Sequence, residues 1–179
     1  MEDLTLRRAK AGDLAAFEEI VVQHERQVFL TALRLLGRRE DAQDAAQEVF
    51  IRLHRHLGRF DEDREFAPWL YRMTVNVCRD IGRKRRREET APLEEGTARA
   101  VEDPHVEAVA AERRRIVKEG LRRLPEKERA ALVLRDLEGL TTREVARVLG
   151  STETTVRSQI SSARLKLRKF AERYFRGRS

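Results

Sequence analysis

The chain has one cysteine, Cys78, in 179 residues, so it can form neither an internal disulfide nor a cysteine-based zinc site. A lone thiol fits a reducing compartment. Prolines number four and glycines nine, and no glycine-rich loop of the kind that cradles phosphate occurs. Aromatic residues make up only 6%. No apolar run approaches the roughly 18 residues a membrane span requires, and the N-terminus lacks a signal-peptide pattern. A cytoplasmic protein with no membrane insertion is expected. Alternating strand patterns and internal repeats are also missing, which leaves helices to build the fold.

What the chain has is charge. Charged residues make up 39% and hydrophobic residues 40%, so its helices must enclose a core beneath heavily charged outer faces. The net charge of +7 and a pI near 10.1 favour a polyanionic partner. The charge is unevenly placed. Residues 1–87 hold 18 basic and 15 acidic residues, net +3; residues 88–112 hold 1 and 8, net −7; residues 113–179 hold 19 and 8, net +11. The middle stretch also contains Pro92, Gly96 and Pro104, and it shows little periodicity before about His105. It reads as an acidic linker between two basic domains.

Helical periodicity runs through the first domain. A short helix is expected from Leu4 to Ala11, ending at Gly12. Asp13 then caps a long one whose stripe is Phe17, Ile20, Val21, His24, Val28, Ala32 and Leu35, stopped by Gly37. A further helix is expected from about Glu40 to Leu57, with Ala42, Ala46, Val49, Phe50, Leu53 and Leu57 inward. Another starts near Ala67, with Leu70, Met73, Val77 and Ile81 inward. Helices of this length with short connections can share one core.

In the second domain, Thr141 and Glu144 form a capping box, and Val145, Ala146 and Leu149 share one helix face. Gly150 permits a sharp turn. Thr152 caps the next helix, on which Val156, Ile160, Ala163 and Leu167 face the first. The opposite face carries Arg157, Ser158, Ser161, Ser162 and Arg164. This is a helix-turn-helix pattern whose second helix can enter a major groove, although an ordinary helical hairpin has the same signals.

Two surfaces of the first domain stand out. Asp41, Asp44, Gln47 and Glu48 cluster beside Ile51, which is either a solvated face or a dock for a basic protein surface. Phe60, Phe66, Trp69 and Tyr71 gather near a helix bearing Arg72, Asn76, Arg79 and Arg83. Rings stack on unpaired bases and guanidinium groups follow the backbone in single-strand binding; the plainer alternative is that Phe66 and Trp69 cap the helical core, and for Trp69 both uses are expected in part. Asp61, Glu62 and Asp63 raise the possibility of a magnesium-dependent nuclease. They are consecutive on a loop, however, and such sites draw carboxylates from separate elements. His54 and His56 point in different directions, and Cys78 has no adjacent His, so no catalytic residue, metal or cofactor is assigned.

Three motifs, in this order around the acidic linker, resemble the bacterial RNA polymerase sigma factors of the sigma-70 family, extracytoplasmic-function group. They are Asp44-Ala-Ala-Gln47-Glu48-Val-Phe50, then Phe66-Ala-Pro-Trp69-Leu-Tyr71 on through Asn76 and Asp80 to the arginine run, then Leu124-Pro125-Glu126 with the helix-turn-helix. The resemblance covers about Phe17 to Arg87 and Val117 to Tyr174. It implies an all-α protein of two small helical domains. Residues 1–87 would be region 2, a three- or four-helix bundle; 88–112 a flexible acidic linker; and 113–179 region 4, a four-helix domain.

By the resemblance, Asp41, Asp44, Gln47, Glu48 and Ile51 would bind the coiled coil of the polymerase largest subunit, which turns the balance against a merely solvated face. Region 4 would meet the polymerase flap. Phe60, Phe66, Trp69, Tyr71, Arg72, Asn76, Arg79, Asp80 and Arg83 would engage the minus-10 element, with a base flipped near Asn76. Arg157, Ser158, Ser161 and Ser162 would read the minus-35 duplex, with Arg143, Thr155, Gln159, Arg164 and Lys166 beside them. An anti-sigma factor is an implied partner. Many relatives carry larger side chains at Ser161 and Ser162 and an Arg at Gln159, so shape-dependent reading is expected to weigh more here. No sensor domain is expected after Ser179. The alternative is a helix-turn-helix regulator that binds duplex DNA without polymerase; it would have no use for the aromatic-basic helix.

Overall fold

The computed structural model describes residues 2–88 and 107–176, whose regular elements are all helices, with no strand among them. The elements are α1 (Glu2–Lys10), α2 (Leu14–Leu36), α3 (Arg39–His56), α4 (Phe66–Glu88), α5 (Glu107–Arg122), α6 (Glu126–Leu132), α7 (Thr142–Leu149) and α8 (Glu153–Arg176). A 3-10 turn, Leu57–Arg59, follows α3, and a π-helical turn, Val133–Leu137, continues α6. The expected all-α, two-domain fold is what forms. Most of the acidic segment, residues 89–106, lies outside the described residues; α5 already begins at Glu107.

Local chemistry sets the helix ends. The Asp13 carboxylate accepts from the Ala16 N–H at 3.1 Å and from Arg8 at 2.6 Å. Those bonds, the Ala16 amide first, hold the Asp13 carboxyl below its ordinary range. Gly37 closes α2 at φ 78, a left-handed conformation that glycine adopts without penalty. Helices α2, α3 and α4 then pack around Ile20, Val28, Ala32, Val49, Leu53, Leu70 and Val77. The expected stripes are therefore the core, with Phe17, Phe50, Met73 and Ile81 half-buried at its edge. Fully burying a Leu or Val contributes about 1.5–3 kcal/mol.

The second core gathers Leu121, Leu124, Leu132, Leu134, Val145, Val148, Val156, Ile160 and Ala163 from α5 to α8. Helix α5 crosses α8 closely because Gly120 has no side chain: a Cβ there would sit 2.8 Å from a Leu167 methyl and 3.2 Å from the Phe170 ring. Two residues of α4 also belong to this second core, Tyr71 and Val75, at 5% and 1% exposure. The stripe Leu70, Met73, Val77, Ile81 faces the first core. Residues 71 and 75 lie on a different face of α4, and the second domain covers it.

Candidate polymerase and nucleic-acid interfaces

On α3 the residues at 44, 47, 48 and 51 follow the i, i+3, i+4, i+7 spacing and share one face. Asp44 and Gln47 are exposed and Ile51 is 39% exposed. Glu48 is held by Arg52 at 2.6 Å, and Arg52 reaches on to Asp80 of α4 at 3.2 Å. Asp41 is drawn inward, its side chain 17% exposed and paired with Arg85 at 3.1 Å. The outward surface is thus Asp44, Gln47 and Ile51 with the Glu48–Arg52 pair beside them. Asp41 instead fixes α4 against α3.

The aromatic cluster divides. Phe60 and Phe66 are buried at 5% and 6%, with ring centroids 5.7 Å apart, and Phe66 also packs on the buried His24. These two rings are core, which corrects the expectation that they stack on bases. Trp69 is half-buried, its centroid 4.9 Å from Phe60 and 6.0 Å from Phe66. It packs on those rings while keeping part of its surface outside. Arg72, Asn76, Asp80 and Arg83 are exposed along α4. Arg79 is half-buried and lies 3.5 Å from Glu126 of the second domain. A cavity of about 380 Å³ opens beside the 60–68 loop, lined by Phe60, Glu62, Phe66, Pro68 and, from the second domain, Glu144.

Tyr71 departs furthest from expectation. Its hydroxyl accepts from Gln27 and donates to Glu138 of the second domain at 3.0 Å. Burial first, and then the Glu138 carboxylate, push its phenol well above the ordinary tyrosine range. In this arrangement it cannot meet a base.

The helix-turn-helix forms as read. Thr141 and Glu144 exchange side-chain and backbone bonds in a full capping box, Gly150 turns at φ 63, and the Thr155 N–H donates to Thr152 at 3.1 Å. Val156, Ile160 and Ala163 are buried against α7. Along the outer side of α8, Arg157, Ser161, Arg164, Leu165 and Arg168 line a groove of about 580 Å³ with Arg135 and Thr142. Ser158, Thr155 and Arg143 are exposed. Ser162 is half-buried and donates to Glu128 at 3.1 Å, and Lys166 meets the same carboxylate at 2.7 Å. Gln159 turns inward, with its amide oxygen buried and no hydrogen-bond partner. Ser162 and Gln159 therefore do not line this groove. Arg164 is held by both oxygens of Asp136 at 2.7 and 2.9 Å.

Arg135 and Arg168, which also line the α8 groove, were not singled out from the sequence. Arg168 stands one turn beyond Arg164 and could have been placed by spacing. Arg135 could not, because its position depends on the π-helical turn. The loop carboxylates weighed for metal binding face cations instead: Glu62 lies 3.0 Å from Lys10 and 3.1 Å from Arg7, and Asp61 pairs with Arg64 at 3.0 Å. His54 stacks edge-on against Phe17 at 5.0 Å. No group of three potential metal ligands forms among the described residues. None of the described helices is long and apolar enough to cross a membrane.

Comparison with known proteins finds relatives for both domains. The family model described as Sigma-70 region 2 matches residues 20–88, and that described as Sigma-70, region 4 matches residues 114–167. The chain is 38% identical over 157 residues to the ECF RNA polymerase sigma factor SigM of Mycobacterium tuberculosis, covering 88% of this chain and 78% of that one. It is 32% identical to the ECF RNA polymerase sigma factor SigW of Bacillus subtilis, covering 92% and 93%. Among solved structures, CnrH in complex with the cytosolic domain of CnrY superposes with a TM-score of 0.74 at 27% identity, over 96% of this chain and 97% of that one. The chain belongs to the sigma-70 family, within its extracytoplasmic-function group of RNA polymerase sigma factors.

Proposed function

We propose that this protein joins core RNA polymerase and directs it to promoters whose minus-10 and minus-35 elements it recognises through separate domains. The observation that carries the reading is the pairing, in one chain, of an exposed Asp44–Gln47–Ile51 face on α3 with an arginine-lined groove on α8. A regulator that binds only duplex DNA needs the groove and not the face. Residues 1–87 act as the polymerase- and minus-10-binding unit, 113–179 as the minus-35 unit, and the acidic stretch from 88 to 112 as their connection. The protein carries no reaction of its own and works in the cytoplasm, where its polymerase is.

On the first domain, Asp44, Gln47, Glu48 and Ile51 dock on the coiled coil of the largest subunit, with Asp41 positioning α4 from below. On α4, Trp69 offers its outer face to the non-template strand, while Arg72, Asn76, Asp80 and Arg83 line the path beyond it. Flipping a base out of the stack costs a few kcal/mol, and stacking returns about 1–3 kcal/mol per base. On the second domain, Arg157 is the leading base reader, since an arginine bidentate to guanine discriminates by about 1–3 kcal/mol. Ser158 and Ser161 lie beside it, and Thr155, Arg143, Arg164, Lys166, Arg135 and Arg168 hold phosphates that fix its register. The same domain meets the flap. An anti-sigma protein is the expected negative partner, consistent with the CnrH complex.

The reading is tested by titrating labelled protein with core polymerase. Tight binding is expected, weakened at least about tenfold by Asp44→Arg with Glu48→Arg, because like charges then face each other across the contact. No binding, or binding indifferent to the reversal, would overturn it.

A further inference from the structure

A cavity of about 230 Å³ lies where α2, α4, α5 and α6 meet. Leu35, Leu36, Val75 and Ala130 give it an apolar lining. Six arginines surround that lining: Arg79, Arg85 and Arg86 of α4, Arg122 of α5, Arg129 of α6, and Arg38 from the turn before α3. Among the described residues that line it, Glu126 is the one carboxylate.

Guanidinium groups gathered this closely repel one another, and the chain answers them only in part. Glu126 lies 3.5 Å from Arg79 and 3.2 Å from Arg86. Arg85 pairs with Asp41 at 3.1 Å, outside the cavity, and Arg122 meets Glu119 at 3.7 Å. Arg129 donates to two neutral groups, the Leu35 carbonyl at 2.6 Å and the Leu124 carbonyl at 2.9 Å. Its Nε is buried with no hydrogen-bond partner, and a buried donor without an acceptor costs free energy. Burial pulls the Arg129 guanidinium below its ordinary value; Glu126 opposes that pull, while Arg122 and Arg86 add to it. The cavity is thus short of negative charge and of acceptors.

Gly82 lines the same cavity from within α4. Its backbone is helical, and it is not among the glycines with positive φ. A Cβ at this position would meet a Leu36 methyl at 3.9 Å, an ordinary contact. Neither conformation nor packing demands glycine here, although glycine is a weak helix former. What the missing side chain leaves is room among the arginines.

Guanidinium forks pair bidentately with phosphate oxygens, and a cleft lined by one sign of charge focuses its potential on a ligand of the other. The cavity is smaller than the roughly 300–1,000 Å³ of sites that engulf a drug-sized ligand. It suits a compact polyanion. Arginines converging from four segments also offer more donors than a single carboxylate could use. We propose that this cavity binds a diphosphate group, either free pyrophosphate or the end of a nucleoside diphosphate. Arg129 meets it from within, and Arg86 and Arg122, with side chains 61% and 59% exposed, meet it from the solvent side. The site is independent of the sigma-factor reading.

The test is isothermal titration calorimetry of the full chain with sodium pyrophosphate and, separately, with ADP, in magnesium-free buffer at about 0.15 M salt, where exposed charges are largely screened. Saturable binding of one pyrophosphate per chain is expected. Arg86→Gln with Arg122→Gln keeps the side-chain stems and should weaken it about tenfold or more. Arg26→Gln with Arg55→Gln removes the same charge from exposed positions elsewhere and should leave it unchanged. Gly82→Met fills the cavity without altering charge and should abolish binding with helix content retained by circular dichroism; the Arg86 and Arg122 pair reads the same site should that variant fail to fold. ADP binding more tightly than pyrophosphate would assign the end of a nucleotide, and the reverse would assign the free anion. Heats that never saturate, equal weakening by the Arg26 and Arg55 pair, or a folded Gly82→Met that binds like the parent would overturn the site. So would a short oligothymidylate that displaces pyrophosphate and is weakened equally by the Arg86 and Arg122 pair, since the cavity would then hold nucleic-acid backbone.

Discussion

Single residues decide how firmly two chemically similar groups are held. Arg157 and Arg164 lie two turns apart on α8, yet Arg164 is gripped by both oxygens of Asp136 while Arg157 meets only Glu153, one turn back, at 2.8 Å. An exposed i,i+4 pair of that kind is weak, about 0.3–0.5 kcal/mol, so Arg157 is readily released, which supports the base-reading role proposed for it. Arg157→Ala is expected to lower affinity for minus-35 duplex about tenfold or more while leaving core-polymerase binding unchanged, measured by anisotropy on each partner. Residue chemistry of this grain was only partly legible in the sequence. Spacing placed Arg157, Ser158 and Ser161 outward correctly. It could not show that Ser162 bonds Glu128, from an element 34 residues away, or that Gln159 turns inward. The aromatic cluster failed for a related reason: Phe60 and Phe66 have the composition of a stacking platform, but rings are also the best core filler, and only the fold distinguishes the two uses.

Elements were the most legible level, because their signals are local. Asp13, Gly37, Thr141, Glu144, Gly150 and Thr152 act where they stand, by bonding backbone groups within four residues. The capping box gives a direct test. Its Glu144 carboxyl is held low, first by the Thr141 hydroxyl and then by the Thr141 backbone N–H. A depressed folded value means that its contribution is present above the unfolded Glu value, about 4.3, and is lost as pH falls through the folded one. Thr141→Ala is therefore expected to cost about 1 kcal/mol at neutral pH and to flatten the acid side of the pH–stability curve, followed by thermal melting. The π-helical turn was not legible at this level. Nothing in Val133–Leu137 marks it as different from an ordinary helix end, and its geometry is settled by packing: Val133 and Leu134 are fully buried in the second core.

At the scale of the molecule, the charge map anticipated two basic units joined by an acidic segment but not how the units meet. Helix α4 was read as having one core face, and it has two. The second face is short, Tyr71 and Val75, and two apolar residues one turn apart carry no periodicity beyond what a helix surface ordinarily shows. That seam sets the Trp69 helix, the loop cavity and the second domain against one another. The most direct measurement of the whole account is run-off transcription by purified core polymerase on a library of bacterial genomic fragments, with the parent chain and with Trp69→Ala. The parent chain should yield discrete transcripts absent without it, sharing two spaced upstream elements. The Trp69→Ala variant should still bind polymerase but give weaker transcripts, regained on templates already melted around minus 10. Polymerase binding with no chain-dependent transcript from any fragment, or Trp69→Ala transcribing closed templates as well as the parent, would contradict it.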